Sequence, residues 1–161
     1  MEDKKPKPLP QDLIINQDGT ATYTIAEEGD VLGSYKGVFV FKCYLSPLDS
    51  LSANRAFREL LGPFAQEATD TDRWTAYALT QLQKRVIKAP PWWQTDSALP
   101  GNIPDHNVLS TILDRAADAE IAYRERLKEK RTDTLKKVSD ATKAIQERLN
   151  EAFKTEEKSE Q

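Results

Sequence analysis

The sequence is poor in the residues that build covalent cross-links and metal sites. Among its 161 residues there is one cysteine, Cys43, and one histidine, His106. No disulfide can therefore form within the chain, and no cluster of cysteine and histidine ligands can hold a metal ion. Cys43 lies on the apolar side of an alternating pattern, which predicts a small buried hydrophobic residue and not a reactive thiol.

Long apolar runs and a strong excess of one charge are also missing. No stretch is long and apolar enough to cross a bilayer, and the sequence has no signal-peptide pattern, so we expect a soluble protein of a reducing cytosol. The net charge of -3 and the pI near 5.3 do not favour a specific nucleic-acid binder. With 39% hydrophobic residues and a mean hydropathy of -0.65, part of the chain is expected to lie outside a core.

Recognisable catalytic motifs are absent. The sequence has no Gly-rich phosphate loop, no nucleophile elbow and no repeated cluster of His, Asp and Glu. Neighbouring carboxylates such as Asp70 and Asp72 stand at a predicted helix start, where solvation and the helix dipole explain them better than acid–base chemistry. We therefore expect no enzymatic activity and no cofactor, and a protein whose role is an interaction.

The apolar pattern of the first half predicts a small sheet followed by two helices. The apolar run Leu13-Ile14-Ile15 precedes Asp18-Gly19, a hairpin signal; apolar and polar residues alternate after it from Thr20 to Ile25 and again from Ser34 to Leu45. A helix then begins at Ser46-Pro47 and ends at Gly62-Pro63, and a second begins near Thr69. Two helices so closely connected are expected to pair and to cover one face of the sheet. The predicted fold class is α+β, mostly helical: a small antiparallel β-sheet or hairpin at the N-terminus packed on a helical hairpin, followed by a long C-terminal helix.

A proline and tryptophan sequence follows the second helix. Pro90 pushes the preceding residue out of the helical region, so this helix is expected to end at about Lys88. Trp92 and Trp93 come directly afterwards. Either one ring folds back onto the apolar side of the helix while the other is partly exposed, or the second ring is an anchor for another protein.

Apolar residues in the C-terminal part of the chain recur at helical spacing, and the phase of this spacing changes once. Asp105 is predicted to cap a helix whose apolar residues continue to Leu127, and a heptad pattern then begins at Leu135. The eight-residue step between the two predicts a break near Thr132-Asp133 or a shift in register. The heptad seam contacts a partner, contacts its own copy or stays partly disordered.

The predicted organisation is a disordered arm at residues 1–11, a small α+β domain at 12–130 and an extended charged helix at 131–161. The candidate partner-binding residues are those of the tryptophan pair and of the heptad seam. They are Trp92, Trp93, Leu135, Val138, Ile145 and Leu149.

Three segments together resemble the small tail assembly chaperones of tailed bacteriophages. They are Val38–Leu48, Phe57–Gly62 and Leu79–Trp93, and the most specific part is Arg85 to Trp93, where an arginine-containing helix runs into an Ala-Pro-x-Trp-like stop. The resemblance covers about residues 35 to 127. It implies a protein that coats the helical tape-measure protein in the host cytoplasm during tail assembly.

The proline-rich arm and the long helix from Lys128 onward depart from this pattern. They leave open a permanent virion component associated with the capsid, neck or connector, whose C-terminal helix packs in an oligomer. A small non-viral adaptor is a third alternative. In each case we expect a protein partner or a homo-oligomer, and neither a membrane nor a specific nucleic acid.

Overall fold

The computed structural model describes residues 10–31, 33–93, 103 and 105–159. The chain divides into two compact units, Met1–Tyr123 and Arg124–Gln161, and this boundary lies inside a helix. Residues 1–9, which make up most of the predicted arm, lie outside the described residues.

Four antiparallel strands form the sheet of the first unit. They are β1 (Leu13–Ile15), β2 (Thr20–Glu28), β3 (Ser34–Lys42) and β4 (Val86–Lys88), in the order β1-β2-β3-β4. The predicted hairpin turn joins β1 to β2: Gly19 has a φ of 83°, and the Asp18 carboxylate accepts a hydrogen bond from the backbone N–H of Thr20. Because side chains alternate across a strand, Tyr23, Phe39 and Phe41 are buried on one face.

The first two helices, α1 (Pro47–Leu61) and α2 (Asp70–Arg85), begin with the predicted caps. The Ser46 hydroxyl accepts from the backbone N–H of Asp49 at 3.0 Å. Thr69 and Asp72 form a reciprocal capping box at the start of α2. The two helices pack against each other, as predicted.

The predicted end of the second helix was wrong. Helix α2 ends at Arg85 instead of about Lys88, and the next three residues form β4. In this strand Lys88 pairs with Val40 and Val86 pairs with Phe41 of β3, with a bulge between them. The branched side chains of Val86 and Ile87 favour strand geometry, and the edge of β3 supplies the backbone partners that one more helical turn would have supplied.

The third helix, α3 (His106–Ser159), supplies much of the helical side of the core. Its buried residues in the first unit are Val108, Leu109, Ile112, Ala116 and Ala119. They share one apolar cluster with the sheet and with Ala78, Leu79 and Leu82 of α2. Among the described residues of α1, only Ala53 is fully buried. The α+β, mostly helical fold class is therefore confirmed, but α3 covers the sheet alongside α2 where we expected α1.

Helix α3 runs without interruption through Thr132-Asp133. Of the two predicted alternatives at this point, a break is therefore wrong, and the change of apolar phase occurs within a continuous helix.

Candidate partner-binding surfaces

The turn that carries the tryptophan pair is fixed by close contact with β3. Pro90 is buried against Gly37, where an added Cβ atom would lie 2.4 Å from the proline Cγ. The backbone N–H of Trp93 then donates to the carbonyl of Pro90 at 3.0 Å. The absence of a side chain at Gly37 thus allows the proline to lie on the strand and directs both indole rings toward the sheet.

Trp93 is the buried member of the pair. Its side chain is 1% exposed, and its ring stands edge-on to that of Phe39, with 5.2 Å between the ring centroids. It belongs to the same cluster as Tyr23, Leu82 and Ile112, which come from the sheet, α2 and α3. Trp93 therefore holds the core together and is inaccessible to a partner in this structure.

Trp92 is partly buried and is also tied to the sheet. Its Nε1–H donates to the carbonyl of Lys36 at 2.8 Å, and its ring contacts Tyr35 and Phe39 edge-on. The expectation of one inward and one more exposed ring fits this arrangement. The exposed part of Trp92 is a rigid aromatic surface, because the indole is fixed by a hydrogen bond and two rings.

A buried carboxylate supports Tyr35 behind Trp92. Asp105 accepts hydrogen bonds from the Tyr35 hydroxyl at 2.6 Å and from the backbone N–H of Val31 at 2.7 Å. It precedes the first residue of α3, as expected of a capping residue, and its backbone carbonyl accepts from Leu109. The carboxylate thus joins the start of α3 to the β2–β3 turn, a contact that the sequence pattern does not reveal.

Burial, followed by the hydrogen bond to Asp105, raises the pKa of the Tyr35 hydroxyl to about 12. The hydroxyl therefore remains a hydrogen-bond donor throughout the neutral and moderately alkaline range.

An ion pair joins the end of α2 to α3. An Arg85 guanidinium N–H donates to the Glu120 carboxylate, and the two side chains are only 11% and 21% exposed. Arg85 is the first residue of the Arg85–Trp93 segment, the most specific part of the phage resemblance. Apart from the resemblance, the sequence pattern indicated only that Arg85 lies near the end of the second helix, because its partner Glu120 lies 35 residues away.

The second candidate surface is the α3 stripe, which we define as Leu135, Val138, Thr142 and Ile145. Leu135, Val138 and Ile145 are 71%, 59% and 60% exposed. All described residues from 127 to 148 are exposed, so no contact covers this apolar stripe there. The side chain of Leu149, the remaining predicted seam residue, lies outside the described part of the structure.

The other singled-out residues have ordinary surroundings. Cys43 is fully buried, and burial raises the pKa of its thiol to about 11. His106 is exposed beside the ring of Trp74, with 5.9 Å between centroids. Within the described ranges, no group of three or more His, Cys, Asp or Glu side chains could hold a metal ion. Over the same part of the chain, no helix combines the length and apolarity needed to cross a membrane.

Comparisons with models of protein families, with curated proteins and with solved structures find no match to this chain.

Proposed function

We propose that this chain is a non-enzymatic assembly protein of a tailed bacteriophage, a tail assembly chaperone that coats the tape-measure protein. The observation that carries the proposal is the α3 stripe, three large apolar side chains at heptad spacing that are more than half exposed. Exposed apolar area costs free energy in water, at about 25 cal/mol per Å². A partner helix with its own apolar face would remove that area from water.

The first unit supports the same proposal with a second contact. The exposed part of Trp92 is a preorganised aromatic surface, and tryptophan is enriched among the residues that dominate binding energy. The resemblance to tail assembly chaperones, centred on Arg85 to Trp93, gives the partner its identity. A long helical chain with apolar faces is the kind of partner that the stripe fits. The proposed place of action is the host-cell cytoplasm during assembly.

Co-expression with the tape-measure protein of the same genome tests the proposal. We expect the chain to keep that protein soluble and to copurify with it. Val138→Gln should weaken the complex, because it places a polar amide in the stripe, whereas Lys137→Gln introduces the same side chain at the adjacent exposed position outside the stripe and should bind normally. A tape-measure protein that stays insoluble, or equal binding by both variants, would contradict the proposal.

The alternative is a permanent virion component of the capsid, neck or connector. It is favoured by the continuous α3 helix, whose exposed stripe could pack with neighbouring copies in a particle. Washed mature particles separate the two functions: a chaperone is absent from them, and a virion component is present at fixed stoichiometry.

A further inference from the structure

We propose that, in the absence of another partner, the α3 stripe is covered by the stripe of a second copy in antiparallel orientation. This inference goes beyond the proposed function, because it concerns the free protein. It also implies that a partner helix must displace the second copy before it can bind.

The stripe can be buried without leaving a polar group unpaired. Thr142, its one polar member, donates its hydroxyl to the carbonyl of Val138 in the same helix at 2.9 Å. The hydroxyl is therefore satisfied before any partner arrives, and the γ-methyl group remains for packing. Of the flanking residues, Ser139, Ala141 and Gln146 carry no charge and Arg148 is charged, so a second helix can approach closely along the middle of the stripe.

Charge along the helix favours the antiparallel orientation. Residues 128–141 contain five Lys or Arg and three Asp or Glu, whereas residues 146–159 of the same helix contain three Lys or Arg and four Asp or Glu. A parallel pair would place two positive segments beside each other. An antiparallel pair places each positive segment beside the slightly negative segment of the other copy, which removes this repulsion at moderate ionic strength.

The register follows from the heptad spacing. When two helices with the same seam run in opposite directions, the first apolar position of a heptad in one copy faces the second apolar position in the other. In the register that uses the whole seam, Thr142 of one copy lies opposite Ile145 of the second copy, and Val138 lies opposite Leu149 of the second copy. Self-association should depend on concentration, because this seam spans little more than two heptads.

Disulfide trapping tests the orientation. Val138→Cys and Leu149→Cys are made as separate full-length variants, tagged so that they differ in size, and are oxidised with diamide alone and as a mixture. Positions 138 and 149 are about 16 Å apart along one helix at 1.5 Å per residue. A disulfide needs Cα atoms within about 7 Å, so each variant alone cannot link to itself in the antiparallel pair.

We expect a mixed disulfide dimer from the mixture and almost none from either variant alone. The unaltered protein is the control, because its only cysteine, Cys43, is fully buried and should not cross-link. Light scattering of the unaltered protein over a concentration series should show a monomer–dimer equilibrium. Val138→Gln should shift this equilibrium strongly toward monomer, and Lys137→Gln should shift it much less, because it removes one charge of the positive segment and no apolar contact of the stripe.

Two results would overturn the inference. Efficient disulfides within each single variant would mean a parallel pair. A protein that remains monomeric at every concentration, without cross-links in the mixture, would mean that no second copy covers the stripe. Neither result bears on copurification with the tape-measure protein, so failure of this inference and failure of the proposed function are distinguishable.

Discussion

Trp92 and Trp93 are adjacent residues with different environments. Trp93 is enclosed by the core, so Trp93→Ala should lower the free energy of unfolding by about 3–5 kcal/mol, in the range of other large-to-small core changes. Trp92→Ala should cost about 1–2 kcal/mol, because it removes partial packing and one hydrogen bond. Denaturant unfolding followed by circular dichroism measures both. Equal losses would mean that the two rings have the same structural role.

If Trp92 is also a partner anchor, its contribution to binding is separable from its hydrogen bond. Trp92→Phe keeps an aromatic ring but removes the N–H that donates to Lys36, and so provides the matched control. We expect Trp92→Ala to weaken partner binding by roughly 2 kcal/mol or more, and Trp92→Phe by less. Calorimetric titration with the partner, below the unfolding temperature of each variant, measures this difference. A Trp92→Ala protein that binds at full strength would restrict Trp92 to a role in the fold.

The two buried tyrosines predict how stability depends on alkaline pH. Burial is the main cause that raises the pKa of Tyr23 and of Tyr35 to about 12, from the ordinary value of 10.0. The folded state therefore disfavours phenolate. The contribution of the two neutral tyrosines to the stability of the folded state is fully present below about pH 10 and is lost as the pH rises through 12. Tyr35→Phe should reduce the loss of stability between these pH values. The pH dependence of stability that remains should come from Tyr23. Unfolding curves across this range test it, and an unchanged slope would contradict it.

At the scale of elements, the Arg85–Glu120 pair determines how α2 is attached to α3. Glu120→Ala should lower stability by about 2–4 kcal/mol, because it leaves the Arg85 charge mostly buried and unpaired. Arg55–Glu59 provides the control, since it is an Arg–Glu pair whose side chains are 82% and 62% exposed. Glu59→Ala should have little effect. Thermal melting of both variants gives the comparison, and similar shifts would mean that the inner pair contributes no more than a surface pair.

Local sequence was a good guide to where elements begin and a poor guide to where α2 ends. Ser46 and Thr69 cap their helices through residues three positions away, so the sequence contains the whole interaction. The end of α2 depends on β3, more than 40 residues earlier, whose edge pairs with Val86–Lys88. Helical spacing alone could not reveal that this edge was available.

At the scale of the whole molecule, the cluster of core residues and their packing partners ends at Tyr123. Truncation after Leu127 should therefore leave a protein that unfolds cooperatively. Truncation after Arg115 is the contrasting variant, because it removes Ala116, Ala119 and Tyr123 from the cluster and should abolish cooperative unfolding. Differential scanning calorimetry distinguishes them. A non-cooperative transition in the longer truncation would mean that the domain extends farther along α3.

The sequence by itself determined the features that depend on residues close in the chain. These are the Asp18-Gly19 hairpin, the helix caps, the α+β class and the heptad spacing of the α3 stripe. Such features were predictable because turn geometry, capping and side-chain periodicity act over a few residues. The stripe of the candidate surface belongs to this group.

Only the tertiary structure decided which tryptophan is buried, that Asp105 joins α3 to the β2–β3 turn, and that Arg85 pairs with Glu120. The sequence predicted two different tryptophan environments but did not assign them. Asp105 and Tyr35 are 70 residues apart in the chain, and Trp92 and Lys36 are 56 apart. Contacts of this kind exist only after α2, α3 and the sheet have packed together, because packing brings the donor and the acceptor within hydrogen-bonding distance.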